Sequence, residues 1–401
     1  MLSVAEAQTQ ALELVAPLPA ETLAITDALG RVTAADVVAA RDHPPFASAA
    51  MDGYAVRWAD LDPLPATLRL IGVSQAGKGF AGTLTDGTCV RVLTGAPIPE
   101  GADTVVVQED TSADGSLIHI TDKPDRLGRH IRRRGLDATA GTVLLPAGTL
   151  ITPAAQGWIA ASAVTTLAVH RQPVVRLVAI GDELKAPGEP LGPDDIVSTN
   201  GLVLKGVLEA DGARVTGWDQ IVPDDPDALA AALADPEADL IVTIGGASVG
   251  DRDYVKPVLE RLGARLAFWK IAMRPGKPLM MARLGAQVVI GLPGNPVSAF
   301  VCAQLFVRPM VRRLSGLATP LPAPLEGVWG TDQPANGPRA DYVRATMARQ
   351  AGAWVVTPAM VQDSSMLSVL AAADALAIRD VQAPAAKAGD PALFHPLKML
   401  W

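Results

Sequence analysis

The stretch Val289-Ile290-Gly291-Leu292-Pro293-Gly294-Asn295-Pro296-Val297-Ser298 decides the fold, because an apolar strand runs directly into a loop of Gly, Pro and Asn and then into a helix. Two other stretches have the same form: Val178-Ala179-Ile180-Gly181-Asp182-Glu183-Leu184 and Val242-Thr243-Ile244-Gly245-Gly246-Ala247-Ser248-Val249-Gly250. Outward from them, strands and helices alternate. Strands are expected at Val174 to Ile180, Arg214 to Val222, Leu240 to Ile244 and Gln287 to Ile290; helices are expected at Gly201 to Ala210, Asp227 to Ala234, Val255 to Leu262 and Pro296 to Leu314. This spacing predicts a mostly parallel sheet covered on both faces. The Gly-rich ends then emerge together at the carboxyl edge, where open α/β folds bind ligands. Glycine lets the backbone approach closely, and the following helix N-termini offer unpaired N–H groups to a phosphate or oxyanion. None of the loops is a Walker A or GxGxxG sequence, so nucleoside triphosphate or NAD chemistry loses support.

Between the second and third strand ends lies Lys270-Ile271-Ala272-Met273-Arg274-Pro275-Gly276-Lys277-Pro278, a basic loop in a chain of net charge −8. Arg offers a planar fork of donors and Lys a point charge, a combination suited to a compact oxyanion. Asp182, Glu183, Asp224, Asp225, Asp251 and Asp253 oppose these cations. Oxygen ligands of this kind suit magnesium shared with substrate phosphates, although each acid singly is more often a helix cap or a surface charge.

The flanks read differently. An amphipathic helix is expected from Val4 to Val15, and short apolar runs from Pro45 to Gly141 read as a small β-barrel or sandwich. A connector follows, with a helix expected from Pro153 to Ser162 and a strand from Thr166 to His170. After the Pro-rich linker at 319–324, strands such as Tyr342 to Met347 and Ala353 to Pro358 close the chain. At 401 residues the chain exceeds one core. The expected class is α/β plus β, multidomain: residues 1–46 and 142–172 form a discontinuous elongated unit, 47–141 a β-barrel-like unit, 173–317 the α/β domain and 318–401 a C-terminal β-barrel.

With 49% hydrophobic and 19% charged residues, the chain has the material for packed cores. The first residues lack the basic region of a signal peptide, and Gly, Pro or charge breaks every apolar run, so neither export nor a membrane span is expected. Cys89 and Cys302 lack CxxC spacing and read as core residues of a protein in the reducing cytoplasm. The acidic balance argues against a nucleic-acid surface.

Outside the α/β segment the run Met51-Asp52-Gly53-Tyr54-Ala55-Val56 is unusual, and two stretches share its ambiguity: Thr94-Gly95-Ala96-Pro97 through Asp103, and Arg132-Arg133-Arg134-Gly135-Leu136-Asp137. Composition alone leaves them open, and a plain hairpin turn is the simplest account of Asp52-Gly53.

Taken in order with Gly181-Asp182-Glu183-Leu184, Gly245 to Gly250, Pro275-Gly276-Lys277-Pro278 and Leu292 to Ser298, these motifs make the chain resemble the molybdopterin molybdenumtransferases, the family of bacterial MoeA and the E domain of gephyrin. The resemblance covers nearly the whole chain. It implies an L-shaped homodimer with an extended N-terminal dimer arm, a three-layer molybdopterin-binding α/β domain and two small β-rich domains. It also implies a cytoplasmic, Mg2+-dependent enzyme that takes adenylylated molybdopterin and molybdate and releases molybdenum cofactor and AMP. Contacts with the molybdopterin adenylyltransferase and with downstream cofactor-handling proteins follow from that role.

Carried over by motif, Ser248, Arg274, Lys277 and Pro278 match the molybdate pocket, with Arg339 and Ser364 completing it from the C-terminal domain. Asp52, Thr94, Asp137, Glu183, Asp224, Asp253 and Lys270 match positions tied to activity or to holding the pterin. The resemblance makes Asp52, Asp137, Glu183, Asp224 and Asp253 catalytic, Thr94 and Lys270 substrate-binding, and Glu183 and Asp253 ligands of magnesium. In a dimer, Asp52 and Thr94 would reach the other subunit's cleft. Ala179-Ile180 stands where Ser-Thr is usual, Ala247 for Val, Ala49 for Ser and Arg274 for Lys. An adenylyltransferase and a non-catalytic scaffold are the competing readings. The extra β-domains and the Arg-Pro-Gly-Lys-Pro loop count against the first, and the retained carboxylates and basic loop against the second.

Overall fold

Residues 1–246 and 254–397 are described by the structure, a computed structural model. The central element is a seven-stranded sheet in the order Arg214–Thr216, Val174–Ile180, Leu240–Ile244, Gln287–Leu292, Met280–Leu284 and Arg265–Trp269, with Ile221–Val222 beside the carboxyl end of Val174–Ile180. Period-2 alternation explains its two covered faces. Val175, Leu177, Leu240, Val242, Val288 and Ile290 enter one core, while Val178, Ile180, Ile241 and Val289 enter the other. The helices Asn200–Glu209 and Pro296–Cys302 supply the first layer; Pro226–Ala232 and Val255–Arg261 supply the second.

Three local features differ from the sequence expectation. First, Met280–Leu284 forms an antiparallel hairpin with Gln287–Leu292 around Gly285-Ala286 and carries Arg265–Trp269 on its far side. Second, the strand expected from Arg214 to Val222 is split. Gly217 has φ +66°, and a Cβ there would stand 2.6 Å from the Leu177 carbonyl oxygen, so the chain turns between the two pieces. Third, the helix expected from Pro296 to Leu314 contains a π-turn at Ala303–Val307. Pro309 has no N–H for the Leu305 carbonyl four residues back. Gln8 supplies that donor instead, Nε2 to oxygen at 2.9 Å.

Gln8 lies on the first helix, Val4–Glu13, capped by reciprocal Ser3 and Glu6 bonds. Its buried face, Val4, Ala7 and Ala11, joins the α/β core. Farther along, Ala20–Ala24 pairs antiparallel with Thr166–His170, and Val37–Val38 with Val143–Leu145, so distant segments build one narrow unit. The intervening β-unit is a six-stranded sheet in the order Thr104–Val107, Gly53–Val56, Thr88–Val92, Ala66–Ser74, Leu117–Ile120 and Thr111–Asp114.

The C-terminal strands Ala340–Gln350, Ala353–Pro358, Leu325–Trp329, Pro391–Pro396 and Ala375–Arg379 close into a ring. Met273–Arg274 of the basic loop adds to Ala340–Gln350 in parallel, with Met273 opposite Ala340 and Arg274 opposite Asp341. The α/β domain and the barrel are therefore joined by backbone pairing at the loop itself. Among the described residues no helix is long and apolar enough to cross a membrane.

Candidate active site

The three Gly-rich strand ends meet. The Gly245 N–H donates to the Leu292 carbonyl at 3.1 Å, and the Gly181 N–H to that of Val222 at 3.1 Å. Gly245 has φ +91°, and a Cβ on it would lie 2.8 Å from the Ile180 carbonyl oxygen, so only glycine fits this junction. The loops border a cleft of about 690 Å³, lined among others by Gly181, Glu183, Asp224, Gly246, Pro278, Gly294, Asn295 and Ser365. Ala179 and Ile180 also line it and make that part of its surface apolar.

The C-terminal domain forms one wall. Asn295 donates through Nδ2 to Ser364 Oγ at 3.1 Å, and the Val297 N–H donates to the Ser364 carbonyl at 3.1 Å. Ser365 caps Asp363, whose carboxyl the hydroxyl and N–H of Ser365 hold below the usual range. Pro278 brings the basic loop to the same rim. That loop is held from within: Ile271 N–H to the Lys277 carbonyl at 3.1 Å, Lys270 N–H to that of Leu279 at 3.0 Å and Leu279 N–H to that of Gly276 at 3.2 Å.

Each cation has a distinct anchor. The Lys270 backbone has φ +68°, and its ammonium sits 3.9 Å from the centre of the Trp269 ring. A π-face steadies that charge without neutralising it. Arg274 is ion-paired through Nη2 to Asp341, and that bond raises its pKa further. Lys277 is exposed.

Sequence reasoning passed over Arg344. Its side chain is only 1% exposed, its Nε is buried without a partner among the described residues, and Nη2 reaches the Asp363 carbonyl at 3.3 Å, behind the loop carrying Ser364. Burial lowers its pKa, with Asp341 and Asp363 acting in the opposite sense. A guanidinium so poorly matched inside a protein is costly unless nearby negative groups compensate it. The signal lay in Asp341-Tyr342-Val343-Arg344-Ala345, where Arg interrupts an apolar strand. Arg339, the residue read from sequence, precedes that strand, and its carbonyl accepts from Asn336 Nδ2.

The other predicted residues are dispersed. Glu183 and Asp224 line the cleft, and the Asp224 N–H donates to Asp182 Oδ1 at 3.1 Å. Asp225 caps the helix Pro226–Ala232, accepting from the N–H groups of Asp227 and Ala228. Ser248, Asp251 and Asp253 lie outside the described residues. Among those described, no group of three or more His, Cys, Asp or Glu is placed to hold a metal. Glu183 and Asp224 are the two predicted acids that line the cleft, and magnesium commonly takes one or two carboxylates, completing its shell with water and substrate phosphate.

Asp52 and Thr94 come together on the β-unit rather than at this cleft. Asp52 Oδ1 accepts from the Thr94 hydroxyl and N–H, both at 2.7 Å, and these bonds lower the pKa of Asp52. Asp52-Gly53 enters a strand and is not a hairpin tip. A Cβ at Gly53 would lie 2.0 Å from the Val106 carbonyl oxygen, so glycine there admits the neighbouring strand. Asp137 is exposed elsewhere on the surface, its N–H donating to the His43 carbonyl at 2.9 Å.

A Gly-rich cleft at the carboxyl edge of an α/β sheet, walled by a basic loop and a docked barrel, defines a multidomain protein with the place where open α/β folds bind small molecules. The chain matches the family models of the MoeA N-terminal region (domain I and II) over residues 2–163, a probable molybdopterin binding domain over 176–313 and the MoeA C-terminal region (domain IV) over 326–397. It is 37% identical over 321 residues to the molybdopterin molybdenumtransferase of Haemophilus influenzae, covering 79% of this chain and 78% of that one. With that of Bacillus subtilis it shares 35% identity over 368 residues, covering 89% and 85%. The crystal structure of a molybdopterin biosynthesis MoeA protein from Pyrococcus horikoshii superposes with a TM-score of 0.82 at 26% identity, covering 98% of this chain and 99% of that one. This chain belongs to the MoeA family of molybdopterin molybdenumtransferases.

Proposed function

We propose that this enzyme inserts molybdate into adenylylated molybdopterin and releases AMP, giving molybdenum cofactor. The observation that carries the reading is the single cleft formed where the Gly-rich strand ends, the basic loop and the Ser364 loop meet. Gly246 and Gly294, which put no side chain between backbone and cleft, let the phosphate part of the substrate approach closely. Arg274 and Lys277, with Pro278 shaping the rim, receive the molybdate oxygens; Ser248 and Ser364 complete that pocket, and Arg339 or Arg344 adds charge from the barrel. Lys270 holds the pterin substrate as an unneutralised cation.

Magnesium would be held by Glu183 and Asp253, with Asp224 adjacent, and would neutralise charge developing on the phosphoanhydride. Glu183, Asp224 and Asp253 also position the water that cleaves it, and Asp137 acts with the substrate-holding groups. The protein works as a cytoplasmic homodimer, in which Asp52 and Thr94 face the cleft of the second copy. It contacts the molybdopterin adenylyltransferase upstream and cofactor-handling proteins downstream. With purified protein, adenylylated molybdopterin and magnesium, AMP release should depend on added molybdate. No release under these conditions would refute the reading.

A further inference from the structure

We propose that Asp341 is a positioning residue for the oxyanion, holding Arg274 by one edge of its guanidinium and leaving the remaining donors for the substrate. The proposal rests on the molybdate reading above and adds a residue to it. Arg274 is long, and its side chain is 59% exposed, so without an anchor it would sample many rotamers. Asp341 is the opposite, 13% exposed and fixed in a strand that pairs with Arg379 on one side and with Arg274 on the other. Only Nη2 of Arg274 is engaged; among the described residues its Nε and Nη1 have no partner. A guanidinium carries five donors, so one anchored nitrogen leaves a fork for a tetrahedral anion.

Asp341 also acts on the second guanidinium. The charge on Arg344 is favoured by Asp341 and opposed by Arg274. The carboxylate therefore offsets the repulsion between two cations that face each other across the domain junction, Arg274 on the basic loop and Arg344 in the barrel. Asp341 itself touches no substrate in this arrangement; it works through Arg274.

The test is a double-mutant cycle on the full-length protein, reading KM for molybdate and kcat in AMP release, with the thermal midpoint measured alongside. Asp341→Ala should raise KM for molybdate about tenfold, the loss of one charge-assisted bond, with kcat at saturating molybdate within about twofold of wild type. Arg274→Ala should raise it at least as much. Asp341→Ala added to Arg274→Ala should raise KM much less than it does in the wild-type background, because the main residue through which it acts is gone and only its smaller effect on Arg344 remains. Asp341→Asn keeps an acceptor oxygen and should fall between wild type and Asp341→Ala, and it carries the test should the alanine variant fail to fold. An unchanged KM in the Asp341 variants, or an equal rise in both backgrounds, would overturn the proposal. An unchanged KM in Arg274→Ala alone would instead overturn the assignment of Arg274 to the oxyanion, and with it the proposal.

Discussion

Asn295 and Ser364 belong to different domains, yet Nδ2 of the first donates to Oγ of the second at 3.1 Å across the rim of the cleft. Asn295 opens the helix Pro296–Cys302 without capping it by its side chain, so its amide is available to the barrel. The expected result of Ser364→Ala is a loss of about 1 kcal/mol at this junction, the worth of one neutral hydrogen bond. KM for molybdate should rise several-fold while the thermal midpoint moves little, since the Val297 N–H still holds the Ser364 carbonyl. Steady-state kinetics with a melting curve distinguish this from general destabilisation.

Lys277→Ala separates the two substrates. Its exposed ammonium stands on a loop fixed by backbone bonds, so removing it deletes a charge without moving the scaffold. Molybdate use should weaken by about tenfold, the value of a charged hydrogen bond, and adenylylated molybdopterin binding should change far less. Titrations of each ligand check this, and equal losses would place Lys277 elsewhere.

Gly276 shapes the same loop from its buried side. It has φ +111°, and a Cβ there would stand 2.5 Å from the Sγ of buried Cys302. Gly276→Ala should destabilise the protein by about 2–4 kcal/mol, combining backbone strain with overpacking. Adding Cys302→Ala should recover only the steric part, as calorimetric midpoints of the single and double variants would record.

His395 gives the protein an acid-side weakness. Its Nδ1 is buried with no partner among the described residues, and burial lowers its pKa. A base whose folded pKa is depressed is neutral in the native state and takes up its proton more readily when unfolded. Its contribution is therefore full above the unfolded value near ~6.5 and is lost as pH falls through the depressed folded value. His395→Leu should flatten that part of the stability profile, measured as thermal midpoints between roughly pH 7.5 and 5.

Much of the fold was legible because both its signals are local. Strands such as Leu240–Ile244 are buried throughout and apolar but for Thr243, as a sheet covered on both faces requires, and each of the informative ones runs into glycine. What escaped depended on contacts distant in sequence. Met280-Met281-Ala282-Arg283-Leu284 has neither β-branched residues nor alternation and becomes a strand only through its neighbours. The π-turn needs Gln8, nearly three hundred positions from Leu305 in sequence. At the site, the basic loop and the Gly-rich ends were visible as motifs, whereas Arg344 emerged only when the barrel closed around it. Asp225 had the composition of a ligand and the position of a cap, a distinction no sequence pattern makes.

The central claim is that the oxyanion binds where the basic loop meets the Ser364 loop. Anomalous scattering from crystals grown with tungstate, measured at the tungsten edge, tests it most directly. The account predicts a peak within hydrogen-bonding reach of Arg274 and Lys277, on the cleft side of Ser364. A peak confined to another surface, or none at saturating tungstate, would contradict it.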